Sequence, residues 1–242
     1  NLSAKDKFGN KRFVDDYKES FFCTLDKNNQ TKESLMDCLD YHLGDSGFLI
    51  IGDSHSRDFY HVMKMVDSKL NVSTLVQSAC VPTTYNNCFS DIDGLSLDDL
   101  ILHYIKDSRV KGVIFSSLYD ADIDVIEQFL YEASEYSKYG KIFIVNAGPY
   151  NVNLVDEFDV NRDGKFNLNN NNNRDNVKIN SIINRVLGSD NISVIDKYDF
   201  FCDGLKCKLL DGLTPLFSDK HHLTAEGYSY WGDYIRGERI FN

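Results

Sequence analysis

Apolar residues fall along this chain in short solid runs, separated by longer stretches in which they recur every third or fourth position. The runs "FLII", "STLV", "KGVIFSS", "KIFIV" and "ISVID" start at positions 48, 73, 111, 141 and 192, and each is short enough for a buried strand. Helical periodicity follows each one, in "RDFYHVMKMVDSKL", "SLDDLILHYIKDS", "DADIDVIEQFLYEASEYSKYG", "NVKINSIINRVLG" and "TAEGYSYWGDYIRG". Strands apolar on both faces, alternating with amphipathic helices, predict a parallel sheet covered on both sides. Five such units predict an α/β, flavodoxin-like, doubly wound and mostly parallel five-stranded sheet, over residues 46–242. Residues 1–45 are polar and mixed, with "SLMDCLDYHL" as the main apolar periodicity, and read as an N-terminal extension carrying a short helix. The stretch "NLNNNNNRDN" from Asn167 is low in complexity and reads as a surface loop.

Charge narrows the partners. With 37 acidic against 26 basic residues the formal net charge is -11, which offers no positive face for gripping phosphates and argues against nucleic acid. No apolar run approaches the roughly 18 to 20 residues of a membrane-spanning helix. The chain begins at Asn1 with neither an initiator Met nor a signal-peptide pattern, and is expected to be a processed form or a piece of something longer.

Six cysteines stand as near neighbours: Cys23 with Cys38, Cys80 with Cys88, and Cys202 with Cys207. None has zinc-site spacing, so disulfides are the simplest account. About 15 connectivities are open to six cysteines, and neighbour pairing is the one that closes the shortest loops. Oxidised cysteines imply a periplasmic or extracellular compartment, whereas reduced buried thiols would imply the cytosol.

Candidate chemistry centres on "FLIIGDSHSRDFY", where the first strand ends in Gly-Asp-Ser-His and a helix begins. In a doubly wound sheet functional groups gather at the carboxyl ends of the strands, and Ser54 lies just past the first. A serine hydroxyl needs a base to accept its proton, and that base needs an acid to orient it. Near the C-terminus, "LFSDKHHLTAEGYSYWG" places Asp219 three residues before His222, close enough across a turn for the carboxylate to hold Nδ1 and leave Nε2 facing another element. His222 fits this spacing where His221 does not. His55 reads as a packed or solvated neighbour, and Asp53 as a turn-fixing hydrogen-bond acceptor or a substrate contact.

Gly-Asp-Ser after the first strand, with Asp-x-x-His before the last helix, resembles the SGNH (GDSL-like) hydrolase superfamily. "GDSHSR", "SACVP" and "FCDGLKCKLLDGLTPLFSDKHHLTAEG" look most like the SGNH domains fused to membrane acyltransferases of family three, over roughly residues 20 to 240. The resemblance implies Ser54 as nucleophile, His222 as base and Asp219 as its orienter. It also implies acetyl transfer to hydroxyls of a cell-envelope polysaccharide, without a cofactor. A membrane acyltransferase domain N-terminal to this chain would deliver the acyl group. A free-standing carbohydrate O-acetylesterase is the alternative. The superfamily's oxyanion-hole Gly and Asn are absent, since their places read "QSACVP" and "VIFSSLYD". The backbone N–H groups of Ser54 and Ala79, with a hydroxyl of Ser116 or Ser117, are the substitute donors.

One further motif stands apart. "DVNRDGKFNLNN" carries oxygen side chains at Asp159, Asn161 and Asp163, as a calcium loop does at its first, third and fifth positions, with Gly at the sixth. Its twelfth position is Asn170 where a bidentate Glu is wanted, so it reads first as an ordinary Asn/Asp/Gly-rich turn, with a structural calcium as the alternative.

Overall fold

A computed structural model describes residues 22–24, 31–77, 80–85, 89, 91–117, 119, 123–146, 148, 165–167, 178–186, 191–203, 206–212, 214–219 and 221–241. In chain order the elements are β1 (Cys23–Thr24), α1 (Lys32–Leu43), β2 (Gly47–Gly52), α2 (Ser54–Val66), β3 (Asn71–Val76), α3 (Leu97–Ile105), β4 (Val110–Ser116), α4 (Ile123–Ser137), β5 (Ile142–Val145), β6 (Lys165–Asn167), β7 (Ile192–Ile195), α5 (Lys197–Phe201), β8 (Cys202–Asp203), β9 (Lys206–Lys208), β10 (Leu210–Asp211), β11 (Thr214–Pro215) and α6 (Ala225–Glu238). Residues 178–183 are also helical.

The central sheet has six strands in the order β1-β3-β2-β4-β5-β7, and every pairing in it is parallel. Without β1, this is the flavodoxin-like order that the alternating pattern predicts. Alternation along β2 divides the core into two layers. Leu49 and Ile51 point to one side, against α1, α3 and α4, while Phe48 and Ile50 point to the other, against α2, α5 and α6. Gly52 is fixed by closeness: a Cβ there would lie 1.9 Å from the Ser116 carbonyl oxygen on β4.

The division at residue 45 does not survive in the structure, nor does the count of five strands. β1 adds to the sheet edge, pairing Cys23 with Leu75, and α1 buries Leu35, Leu39 and Leu43 in the same core layer as α3 and α4. Each buried leucine contributes about 1.5–3 kcal/mol, so together they weigh about as much as a domain's whole net stability. The described part of 1–45 therefore belongs to the domain. Disulfides join Cys23 to Cys38 and Cys202 to Cys207, as the neighbour pairing expects. Cys80 is also disulfide-bonded; its expected partner, Cys88, lies outside the described residues.

Candidate active site

β2 ends at Gly52, and Asp53 caps α2, its Oδ1 accepting the N–H of His55 at 2.8 Å. Ser54 is thereby the first residue of α2, at the carboxyl edge of the sheet, where helix N–H groups lack intrahelical partners.

Across from it, residues 216–224 form a closed loop. The N–H of Ser218 donates to the carbonyl of His222 at 2.9 Å, and that of Thr224 to the carbonyl of Leu216 at 3.0 Å. Inside this loop Asp219 Oδ1 accepts the backbone N–H groups of His221 (2.9 Å) and His222 (2.8 Å), and its Oδ2 lies 2.7 Å from His222 Nδ1. His222 Nε2 lies 2.8 Å from Ser54 Oγ. The three side chains proposed from sequence thus form one continuous hydrogen-bonded line.

The electrostatics suit proton transfer along it. Burial pushes the Asp219 carboxyl up, but the hydrogen bonds from His222 and the two backbone N–H groups outweigh it and hold the group well below the usual carboxylate range. Burial pulls His222 down, while its hydrogen bond to Asp219 and the charges of Asp58 and Asp219 leave it above the ordinary imidazole value.

Asp58, His55 and Lys197 surround this line; His55 was read from the sequence as a neighbour of the serine, while Asp58 and Lys197 were not read as part of the site. Asp58, one turn along α2 from Ser54, accepts the N–H of Leu223 at 3.0 Å and the hydroxyl of Tyr228 at 2.9 Å, so α2 grips the residue after His222 directly. Its position four residues after Ser54 was the available signal. His55 is buried with its ring stacked on that of His222, centroids 5.2 Å apart. Lys197 at the start of α5 is 3% exposed, with Nζ 3.4 Å from His55 Nδ1. No sequence signal marks it: a lysine in "VIDKYDFF" reads as surface.

The other expected site residues fall elsewhere. Ser116 donates its hydroxyl hydrogen to the His55 carbonyl at 3.1 Å, and Ser117 donates its own to the Cys80 carbonyl at 3.2 Å. A hydroxyl has one hydrogen to give, so both serines are engaged in pinning the tip of β4 to its neighbours. Ala79 and the loop residues Asp159, Asn161 and Asp163 lie outside the described residues. Two groups bring metal-binding atom types together among the described residues. In one, Cys23 and Cys38 are joined to each other and offer no thiolate. In the other, His55, His221 and His222 place ring nitrogens within 4.8 Å of one another, yet Lys197 would set its ammonium against any cation among them, and Ser54 and Asp219 take both nitrogens of His222.

A serine at the carboxyl edge of a doubly wound sheet, bonded to an imidazole that is bonded to a carboxylate, is the arrangement of acyl-transferring enzymes of the hydrolase type. Residues 23–236 match the family described as SGNH domain (fused to AT3 domains), and the chain belongs to that family. No curated protein matches the sequence. Among solved structures, the periplasmic domain of a lipopolysaccharide acetyltransferase from Salmonella ser. Paratyphi A is similar, with 18% identity, a TM-score of 0.63, and coverage of 91% of this chain and 92% of that one. The C-terminal catalytic domain of a peptidoglycan O-acetyltransferase from Streptococcus pneumoniae is 13% identical, with a TM-score of 0.47 and coverage of 79% and 91%.

Proposed function

We propose that this domain transfers an acetyl group to hydroxyls of a cell-envelope polysaccharide through an acyl-Ser54 intermediate. The observation that carries the reading is the line from Ser54 Oγ through His222 to Asp219, at 2.8 and 2.7 Å. Ser54 Oγ attacks the carbonyl carbon of the acyl donor and its proton passes to His222 Nε2. His222 returns that proton to the leaving group as the bond to it breaks. An acceptor hydroxyl then takes the same path in reverse, giving its proton to His222 and attacking the acyl-serine, and Ser54 recovers its hydrogen. The Ser54 N–H, first of α2, faces the developing oxyanion with the positive end of the helix behind it. With the Ser116 and Ser117 hydroxyls engaged, the Ala79 N–H is the second donor in this proposal.

No cofactor enters these steps. Fusion to AT3 domains in the family supports a membrane acyltransferase partner as the acyl source, and the disulfides support an oxidising compartment, the periplasm or the cell exterior. Among the described residues no helix is long and apolar enough to cross a membrane. Hydrolysis is the same chemistry with water as acceptor, so the isolated domain should show esterase activity.

The test uses p-nitrophenyl acetate as donor, with and without soluble envelope oligosaccharides, in wild type, Ser54→Ala and His222→Ala. Expected are release of nitrophenol that both variants abolish, and an acetylated sugar detected by mass spectrometry. Undiminished turnover in a folded Ser54→Ala protein sinks the acyl-serine; acetate as sole product with every sugar supplied favours the esterase instead.

A further inference from the structure

The described line does not account for the cation buried beside it. Lys197 is held in place from several directions. Its backbone N–H donates to Asn146 Oδ1 at 2.7 Å, tying α5 to the end of β5. Its aliphatic stem occupies the space left by Gly148, where a Cβ would come within 2.7 Å of Cδ and 2.8 Å of Cε. Its Nζ lies 5.6 Å from the centre of the Trp231 ring on α6 and 3.4 Å from His55 Nδ1. With Lys197 as an ammonium, which has hydrogens to donate and no lone pair, His55 Nδ1 is the acceptor and the ring hydrogen falls on Nε2, a buried atom with no hydrogen-bond partner among the described residues.

The neighbours of His222 explain what such a cation can do. Asp219 faces it from its own loop and Asp58 from α2, and both carboxylates favour a proton on the imidazole. His221 lies beside it, rings 4.3 Å apart, and His55 stacks on it at an interplanar angle of 23°. Lys197 faces this group from α5; burial lowers its own ammonium below the ordinary lysine value, and the facing carboxylates of Asp58, Asp53 and Asp219 oppose that lowering and favour the charge. A base that keeps its proton is idle, and a second charged ring stacked on it would oppose the imidazolium that forms during transfer.

We propose that Lys197 is a positioning residue for His222: its buried ammonium keeps the stacked His55 ring neutral and in one tautomer, and offsets the carboxylates that would otherwise leave His222 protonated. The charges agree in direction. Burial and then Lys197 hold His55 well below the ordinary imidazole value, and Lys197 opposes the raising of His222.

This inference rests on the acyl-serine reading and is tested beside it. The rate constant kcat/KM for p-nitrophenyl acetate is followed over about pH 5 to 9 in wild type, Ser54→Ala, Lys197→Met and Lys197→Arg. Lys197→Met should move the acid limb to higher pH, with a loss of roughly tenfold at about pH 6 that fades to about twofold at pH 9. Lys197→Arg, which keeps the charge, should return the limb toward its wild-type position. A Lys197→Met protein with an unmoved limb and an equal loss at every pH overturns the inference while leaving the acyl-serine intact. Turnover surviving in Ser54→Ala overturns the acyl-serine itself. Nitrogen-15 NMR of the histidine rings in the wild-type protein decides the matter if Lys197→Met does not fold. His55 should stay neutral with its hydrogen on Nε2 while His222 titrates, and protonation of the two rings together overturns the proposal.

Discussion

Asp219 serves His222 twice, fixing the ring through Oδ2 and the backbone through Oδ1. Asp219→Asn should therefore lower kcat by about 10² to 10⁴ by releasing the ring's orientation and tautomer. The sign of the accompanying pH effect follows from the charges. Burial lowers His222, but its bond to Asp219 and the Asp58 and Asp219 charges leave it above the ordinary imidazole value, so the wild-type acid limb should lie above that value too. With the carboxylate of Asp219 gone, the lowering by burial outweighs what Asp58 still supplies and the limb should move to lower pH, opposite to the movement expected of Lys197→Met. A pH–rate profile of the two variants checks both directions, and movement of both limbs the same way contradicts the assignment of charges. At this scale the sequence was legible where chemistry imposes a local pattern, as in Gly-Asp-Ser and Asp-x-x-His. Lys197 was not legible, because its neighbours His55 and Trp231 are far from it along the chain.

The loop between β11 and α6 is shaped by one glycine. Thr224 caps α6, its Oγ1 accepting the N–H of Gly227 at 3.0 Å, and a Cβ at Gly227 would lie 2.1 Å from the carbonyl oxygen of Leu216, at the base of the loop that carries Asp219 and His222. Backbone cannot yield as a side chain can. Gly227→Ala is expected to cost about 1–3 kcal/mol of stability by crowding and, since displacing reacting groups by about 1 Å can cost 10²-fold, a comparable fall in kcat. Urea unfolding beside turnover measures both; full stability with full turnover refutes the tight apposition. Five strands of the central sheet were legible as short apolar runs, and the longer helices because their apolar residues recur at helical spacing; β1 and the small strands β6 and β8–β11, two or three residues each, are too short to show a period. What periodicity could not reveal is which core a helix joins. Leu35, Leu39 and Leu43 plainly mark one face of α1, yet only the fold shows that face against the sheet.

That placement ties β1 and α1 into the same core as the rest of the described domain. A fragment beginning at residue 46 removes three buried leucines and the edge strand, and should be unfolded by circular dichroism where the full chain is folded. A fragment with native spectrum and activity would restore the boundary at 45. Separation along the chain has a consequence in time as well. Ser54 and His222 are 168 residues apart and meet only when α6 docks on α2. A ribosome releases the chain from its N-terminus, so the nucleophile emerges before its base. In between, the serine is an ordinary alcohol without a base to activate it. The line from serine to carboxylate is thus complete only once both ends of the domain have folded together, and a chain truncated before His222 lacks its base.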